Sequence, residues 1–383
     1  MSKKKSSTVE FEAIENLAGF SIGADIKVND LITTGHPELD QAVSGDLCTD
    51  ESALKGGGFP LGKLVMLYGN EGGGKSSLAY RMVGAAQRKG YRCAWIDTEH
   101  SFSQQLAKVN GCDVSKLFYS NLEDINSKRA KKGDDEESIL SGELVMQKMI
   151  DAIQSGVIKV IVLDSIASLV PEQVLRKDVN EDTMATLARI MAKSMPKVAA
   201  YAQQNDVLVI FINQLREKIG DAYGNPHTFP GGRALRHQCS TVIKVMKEGS
   251  REKNEIYITN DDGEQVLVGR YSFASIEKNR FNRPATSSIR VPIYYEQYFP
   301  DLPSTLFEVG RYLKIIRVRM NMYSWNEIKA EGKTAFLAAL SSSQKLAALI
   351  HHVREEAAEQ KYPLPIEIIN YCSDADASAS ESE

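Results

Sequence analysis

The chain has 383 residues, a formal net charge of −4 and 43% apolar residues, which is ordinary for a soluble globular protein with one large domain and one or two small ones. Because the molecule is no simple polycation, any nucleic-acid surface must be a local patch. The five cysteines form no Cys-x-x-Cys pair, and no apolar run approaches about 18 residues, so we expect free thiols, a cytoplasmic location and no contact with a membrane.

The first 30 residues form a separate piece. The apolar spacing over residues 9–20 predicts a short amphipathic helix, and residues 22–28 predict a strand. These two elements are too small for a core of their own. We therefore expect residues 1–30 to dock on the body of this chain or on a neighbouring copy.

Residues 65–246 alternate apolar strands with helical segments, which predicts an α/β fold with a mostly parallel central sheet covered by helices. The segments with the polar motifs described below should all leave this sheet on the same side. The predicted strands are residues 64–68, 92–97, 117–120, 159–164, 207–213 and 241–246.

The sequence G-N-E-G-G-G-K-S at residues 69–76 fits the phosphate-loop pattern G-x-x-x-x-G-K-[ST], between a strand and a helix-like stretch. Glycines let the backbone approach phosphates, and a helix N-terminus favours an anion. Lys75 would reach the β- and γ-phosphates of ATP, and the Ser76 hydroxyl would ligate Mg²⁺. The alternative, a glycine-rich turn, leaves the lysine and the hydroxyl unexplained. The predicted nucleotide-binding residues are Gly69, Asn70, Glu71, Gly72, Gly73, Gly74, Lys75, Ser76, Ser77 and Asp164.

Two further strands of the predicted sheet end in acids. The strand 159–164 ends at Asp164, whose carboxylate would orient Mg²⁺ together with Ser76. The strand 92–97 is followed by Glu99, which is well placed to position and deprotonate a water beside the γ-phosphate. The alternative for Glu99 is a solvated acid at a strand end.

Gln214 follows the buried strand 207–213, where its amide would sense the γ-phosphate and move the segment after it. That segment, residues 215–233, is basic and glycine-rich, and a loop of this length inside a compact domain is usually functional.

A second basic segment, residues 171–182, contains Arg176 and Lys177. Two such segments tied to a phosphate sensor predict nucleotide-gated binding of a polyanion. The alternative is a pair of ordinary solvated loops.

The last third of the chain changes character. Residues 247–295 predict β-hairpins, with strands at 256–259, 265–268 and 289–295. Residues 296–371 predict a mixed module with helices at 302–310, 334–340 and 343–360. The stretch 372–383 is acidic and rich in Ser and Ala, so we expect a disordered tail.

From about residue 31 to 352, the order of motifs resembles the bacterial RecA family of DNA strand-exchange recombinases, including phage versions. The stretch 211–235 is the most specific part of this resemblance; the other parts are residues 34–40, 69–76, 79–90, 96–100 and 162–167. The resemblance implies an N-terminal oligomerisation arm (1–30), a RecA-type phosphate-loop ATPase core (31–295) and a small C-terminal α+β lobe (296–371). It also implies copies that polymerise helically on single-stranded DNA, with ATP and Mg²⁺ between neighbours, and that pair this strand with a homologous duplex. A single-strand-binding protein or a loading mediator is a candidate partner.

The resemblance also implies roles for single residues. Glu99 is the expected catalytic glutamate, and Gln214 is expected to couple ATP to DNA-binding loops at 171–184 and 215–230. Lys278 and Arg280 resemble cations that act, like Lys75, on ATP, but on the ATP of the neighbouring copy. The positions where the family contacts DNA are occupied by Met184, Arg189, Arg216, Ile219, Gly231, Gly232 and Arg233. Arg176 and Lys218, in the two basic segments, are further predicted DNA contacts.

Some positions depart from the family pattern. Ser103 and Leu106 stand where the family usually has an Asp and an adenine-stacking Tyr, His237 replaces an aromatic residue, and Pro196 replaces a basic one. These departures fit a divergent or phage-borne member. Two other classes remain as alternatives: a recombination mediator or paralogue that exchanges no strands, and a ring-forming helicase.

Overall fold

The computed structural model describes residues 30–44, 57–121, 141–175, 183–217, 227–228, 230–247, 254–259, 264–282, 288–295, 302–340 and 342–360, with Leu364 and Ile368. The strands in these ranges are β1 (Leu31–Ile32), β2 (Phe59–Pro60), β3 (Leu64–Gly69), β4 (Arg92–Asp97), β5 (Leu117–Asn121), β6 (Ile158–Asp164), β7 (Leu208–Gln214), β8 (Arg216–Glu217), β9 (His227–Thr228), β10 (Thr241–Lys247), β11 (Glu255–Thr259), β12 (Gln265–Asn279), β13 (Ile289–Tyr294), β14 (Arg317–Arg319), β15 (Met322–Trp325) and β16 (Ile328–Glu331). The helices are α1 (Pro37–Ser44), α2 (Lys75–Arg88), α3 (Gln104–Val109), α4 (Gly142–Gln154), α5 (Glu172–Leu175), α6 (Thr183–Asn205), α7 (Gly232–Gln238), α8 (Leu302–Tyr312), α9 (Lys333–Ala339) and α10 (Ser343–Glu359).

One nine-stranded sheet organises the larger part of the molecule. Its order is β11-β12-β10-β3-β7-β6-β4-β5, with β13 paired to β12. The six strands from β10 to β5 in that order are parallel. The fold class predicted from the sequence, a mostly parallel sheet covered by helices, is confirmed. The register sets Gly69 beside Gln214 and Asp97 beside Asp164, so the polar strand ends meet at one edge.

Helices cover both faces of this sheet because its central strands are apolar on both sides. Along β3, Val65 and Leu67 pack under α1 and α2, whereas Met66 packs under α4, α6 and α7. All three side chains are fully buried. Burial of one such side chain contributes about 1.5–3 kcal/mol, which makes this two-faced core the main support of the edge where the polar residues gather.

An antiparallel extension lies on the β10 side of the sheet. Strand β12 runs antiparallel to β10, and β11 and β13 both pair with β12. The sequence predicted a short strand at 265–268, but β12 continues for 15 residues, to Asn279. The extension therefore belongs to the main sheet, and only β10 separates its strand β12 from β3.

A smaller lobe follows the core. Strands β14, β15 and β16 form a three-stranded antiparallel sheet, and α8, α9 and α10 pack with it around Phe307, Trp325 and Phe336. Helix α8 also contacts α1 of the larger part. The predicted helices and the α+β character of this region agree with the observed elements.

Some sequence predictions lie outside the described residues. These are residues 1–29 of the N-terminal arm, the hairpin turn at 260–263 between the predicted strands 256–259 and 265–268, and the acidic tail. Within the described ranges, no helix has the length and apolar character needed to cross a bilayer.

Candidate nucleotide and DNA site

The phosphate loop connects the buried strand β3 to helix α2. Gly74 takes a left-handed conformation (φ 96°) at the N-terminus of α2, and a β-carbon there would lie 2.8 Å from Ile293. A β-carbon on Gly69 would lie 1.9 Å from the carbonyl oxygen of Val245. Only glycine fits at both positions, because L side chains disfavour positive φ and the backbone of β10 approaches too closely.

Lys75, the first residue of α2, is folded back into the loop. Its side chain is 7% exposed, and Nζ donates hydrogen bonds to the carbonyl oxygens of Gly69 (3.1 Å) and Asn70 (2.8 Å). Burial lowers the pKa of Lys75, although the carboxylates of Asp164, Glu99 and Glu71 oppose that shift. A buried ammonium at the N-terminus of a helix is a favourable site for an anion.

Ser76 and Asp164 meet beside this lysine. The Ser76 hydroxyl donates to Asp164 Oδ2 at 2.9 Å, and Asp164 is 4% exposed. Burial raises the pKa of Asp164 to about 7, and the nearby Glu99 and Asp97 add to the rise. A buried carboxylate and a hydroxyl next to a phosphate site fit Mg²⁺, which prefers oxygen ligands and usually takes one or two from protein. No cluster of three or more His, Cys, Asp or Glu residues suited to a metal occurs in the described ranges, so phosphates and water would supply the other ligands.

Glu99 lies just beyond β4 and is held by groups from two other strands. Its Oε1 accepts hydrogen bonds from Gln214 Nε2 (2.7 Å), from Ser168 Oγ (3.2 Å) and from Ser165 Oγ. The structure thus brings Glu99 and Gln214, which are 115 positions apart in the sequence, into direct contact. The sequence did not single out Ser165 and Ser168; their place one and four residues after Asp164 was the available signal.

Asp97 is a further residue that sequence reasoning missed. Its Oδ1 accepts from the backbone N–H of Glu99 (3.1 Å) and of Ser101 (3.3 Å), and its Oδ2 accepts from Phe102 N–H (3.0 Å) and the Tyr119 hydroxyl (3.1 Å). These bonds fix the turn that carries Glu99. An Asp at a strand end directly before a tight turn was the signal for this role.

Gln214 is the last residue of β7 and is adjacent to the start of the basic segment. Leu215 N–H donates to Gly69 O at 3.2 Å, which ties this start to the phosphate loop. Asn213 Nδ2 donates to Pro230 O at 2.8 Å, which ties the other end of the segment to the same strand. Between them, β8 and β9 form a two-stranded antiparallel ladder. The segment therefore leaves and returns beside the nucleotide site.

Four of the residues predicted to contact DNA, Arg189, Gly231, Gly232 and Arg233, lie where this segment meets α6. A β-carbon on Gly232 would lie 2.9 Å from Ala188 Cβ, so the turn at Gly231 and Gly232 packs closely on α6 next to Arg189. Arg189 and Arg233 are exposed. Of the other predicted contacts, Arg176, Lys218 and Ile219 lie outside the described residues, as do the side chains of Met184 and Arg216.

Lys278 and Arg280 do not join the phosphate loop of their own chain. Lys278 Nζ donates to the carbonyl oxygens of Arg236 (2.8 Å), His237 (2.8 Å) and Cys239 (2.6 Å), and Arg280 Nη2 donates to His237 O (3.0 Å). Both cations thus stabilise the C-terminal end of α7. Lys278 of β12 pairs with Val242 of β10, and Val242 pairs in turn with Met66 of β3. Lys278 therefore lies near the amino end of β3, whereas the phosphate loop follows the carboxyl end of that strand.

Ser103 and Leu106, the two departures near the expected base site, have structural roles. Ser103 Oγ accepts from Leu106 N–H (3.2 Å) and begins α3. Leu106 packs against the core under α2. Neither residue presents an aromatic ring to a base.

Comparison with known proteins identifies the family of this chain. The family model described as the RecA N-terminal domain matches residues 13–279, which is more than half of the chain. Among solved structures, the chain is similar to one described as the crystal structure of the RadB recombinase, with 19% sequence identity and a TM-score of 0.43, over 70% of this chain and 97% of that one. On the family match, the chain belongs to the RecA family of recombinases, and its core is a phosphate-loop ATPase fold of that family.

Proposed function

We propose that the protein is a DNA-dependent ATPase that forms a helical filament on single-stranded DNA and catalyses homologous pairing and strand exchange. The observation that carries this proposal is the hydrogen bond between Gln214 and Glu99 (2.7 Å), because it joins the nucleotide site to the first residue before the basic segment. A recombinase filament needs such a link, since ATP must decide whether the DNA-binding segments are in place.

In this proposal ATP is bound by the loop amides and Lys75, and Ser76 and Asp164 hold Mg²⁺, which neutralises charge on the phosphates. Glu99 accepts a proton from the attacking water. In the described conformation, the Gln214 amide donates a hydrogen bond to Glu99 Oε1. An arriving γ-phosphate offers Gln214 a more highly charged acceptor, and the amide then leaves Glu99 and moves the segment attached to it.

The DNA surface consists of the basic segments 171–184 and 215–230 together with Arg189, Gly231, Gly232 and Arg233. Arg189 and Arg233 are exposed, and each is the sequence neighbour of a residue in the close contact between Ala188 of α6 and Gly232 of α7, which supports a site for the phosphates of one strand. Homology itself is tested by base pairing, so contacts to the DNA backbone suffice.

Lys278 and Arg280 act in this proposal on the ATP of a neighbouring copy. Both residues lie near the amino end of β3. At a strand rise of about 3.3 Å per residue, this places them about 10 Å or more from the phosphate loop of their own chain. The site is then complete only between copies. Residues 1–30 serve as the oligomerisation arm, and a single-strand-binding protein or a loading mediator assists assembly in the cytoplasm of a bacterial cell.

Negative-stain imaging with single-stranded DNA and a non-hydrolysable ATP analogue tests the proposal. Extended helical filaments on the DNA are expected. Closed rings would favour a helicase instead, and a protein that binds ATP without forming either assembly would favour a mediator or paralogue. A strand-exchange assay with a homologous duplex then separates exchange from filament formation alone.

A further inference from the structure

Strand β12 carries two buried polar side chains that have no hydrogen-bond partner for some or all of their donors. Arg270 is 7% exposed, and its Nε and Nη1 atoms are buried without a partner in the described part of the chain. Ser272, two residues further on, is fully buried and its Oγ also lacks one. Burial of an unsatisfied cationic donor is costly, so we expect a group other than the described residues to complete these bonds.

Both side chains face the phosphate loop. A β-carbon on Gly72 would lie 3.9 Å from Arg270 Nη2 and 3.9 Å from Lys247 Nζ, and one on Gly74 would lie 3.4 Å from Ser272 Oγ. The register explains this convergence, because Lys247 pairs with Ser272 and opposite residues of antiparallel strands share a face. Two cations and a hydroxyl thus border the loop on one side.

Protein carboxylates do not neutralise these cations within the described ranges. No ion pair to Arg270 or Lys247 occurs there, and Glu255, which pairs with Arg270 in the register, accepts a hydrogen bond from the Tyr257 hydroxyl (2.7 Å). Burial lowers the pKa of Arg270, and Tyr295 opposes that shift. A bound anion would therefore neutralise the positive charge of this cluster.

We propose that Arg270, with Lys247 and Ser272, binds the α- and β-phosphates of the nucleotide held by the phosphate loop of the same chain. The inference rests on the proposed ATP site and adds to it. Strands β10 and β12 lie on one side of β3, whereas Glu99, Gln214 and Asp164 come from β4, β7 and β6 on the other side. Since the latter meet the γ-phosphate, a cation on the β10 side meets the phosphates that ATP and ADP have in common.

This role differs from that of Lys278 and Arg280 in a way that can be measured. Those residues lie far from the phosphate loop of their own chain, so they contribute only after assembly. Arg270 lies within reach of that loop, so its contribution is present in the isolated chain without DNA. It should also be equal for ATP and ADP.

The test is the affinity of the full-length protein for Mg-ADP and for a Mg-bound non-hydrolysable ATP analogue, measured by calorimetry without DNA. Arg270→Met, which keeps the bulk of the side chain, should weaken both by about tenfold or more, as expected for a lost charge-assisted hydrogen bond. Arg270→Lys should recover part of the loss. Arg290→Met is the matched control: Arg290 is on the neighbouring strand β13, lies over the Tyr271 ring at 3.7 Å and should leave both affinities unchanged.

Melting curves distinguish this role from a structural one. Removal of a buried unpaired cation should leave the melting temperature of the free protein unchanged or higher in Arg270→Met, while the rise produced by ADP becomes smaller. If Arg270→Met does not fold, Lys247→Met carries the same test, since Lys247 is exposed, with an expected loss of a few-fold.

Wild-type affinities in Arg270→Met, a loss confined to the ATP analogue, or an equal loss in Arg290→Met would each overturn the inference. A wild-type protein that binds no nucleotide would instead overturn the proposed function. The two failures are therefore distinguishable.

Discussion

Lys75 is the residue on which the proposed nucleotide site most depends. In the described conformation its ammonium is bonded to two carbonyl oxygens of the loop, and burial depresses its pKa. The loop thus holds a cation that water hardly reaches. A phosphate chain that enters the loop gains this cation without a further desolvation cost on the protein side.

Replacement of Lys75 by Ala should abolish nucleotide binding. Loss of charge-assisted bonds to two phosphates predicts a fall in affinity of roughly 100-fold to 10,000-fold for Mg-ATP, measured by calorimetry. Lys63→Ala is the control, because Lys63 lies at the other end of β3 and bonds Gln203 (2.9 Å). An unchanged ATP affinity in Lys75→Ala would remove the phosphate loop from its assigned role.

The two oxygens of Glu99 have different surroundings. Ser165, Ser168 and Gln214 all donate to Oε1, and no hydrogen bond reaches Oε2 from the described residues. The carboxylate is therefore oriented through one oxygen, and in the proposed mechanism the other oxygen accepts a proton from water. This division suits a general base whose direction matters as much as its basicity.

Glu99→Gln should bind Mg-ATP and single-stranded DNA normally and hydrolyse ATP at least about 100-fold more slowly, since an amide cannot take the proton. A coupled ATPase assay with saturating DNA gives the rate, and filter binding gives the two affinities. Glu331→Gln, an exposed change on β16, serves as the control. Normal turnover in Glu99→Gln would assign the base to another group.

At the scale of elements, the parallel strands were predictable and their contacts were not. Apolar runs such as β6 and β7 identify buried strands, and the acid or amide after each run indicates the functional edge. The bond between Glu99 and Gln214 depends on strand order, which no local pattern contains. Arg270 also escaped prediction, since an Arg in an alternating strand usually points to solvent, and only the tertiary structure shows it near Gly72 of the phosphate loop.

Helix α1 connects the core to the C-terminal lobe, and His36, the residue before it, makes this contact sensitive to acid. Its Nδ1 is buried without a partner among the described residues. Burial lowers the pKa of His36 to about 3, and the positive charges of Arg81 and Lys333 act in the same direction. Lys333 belongs to the lobe, so a protonated His36 would weaken the contact between the two parts.

The sign of this effect can be predicted. In the unfolded chain His36 titrates near its ordinary value of about 6.5, so between about pH 6.5 and 3 the unfolded state binds a proton that the folded state does not. Stability is lost as the pH falls through that window, by about 2 kcal/mol between pH 6.5 and 5. Asp40, whose pKa burial raises to about 6, acts in the opposite direction below pH 6, so the His36 contribution is measured as a difference between variants.

His36→Phe should remove this contribution. Urea unfolding of the wild type and of His36→Phe at pH 7.5, 6 and 5 should show the variant gaining stability relative to the wild type as the pH falls. The two sets of unfolding free energies would stay parallel if His36 were already protonated, or solvated, in the folded protein. Asp40 is present in both proteins and cancels in the comparison.

At the scale of the whole molecule, each chain carries a functional edge and, near the opposite end of the same strands, a pair of cations. Glu99 lies at the carboxyl edge of the sheet, and Arg280 follows β12 near the amino end of β3. In the proposed filament, a head-to-tail contact between copies would bring the two together and would repeat without closure. In such an assembly, a defect in one half of a site and a defect in the other half can be carried by different chains.

Mixing two inactive variants tests this arrangement. Glu99→Gln lacks the base but keeps Arg280, and Arg280→Ala, which loses a single bond to His237, keeps the base. In a 1:1 mixture on single-stranded DNA, a site is intact when its loop comes from Arg280→Ala and its neighbour from Glu99→Gln, so roughly a quarter of the wild-type ATPase rate should return. A mixture of Glu99→Gln with Lys75→Ala is the control and should stay inactive, because both changes affect the same half of the site. If the first mixture is also no faster than its components, Arg280 serves its own chain and the site does not span two copies.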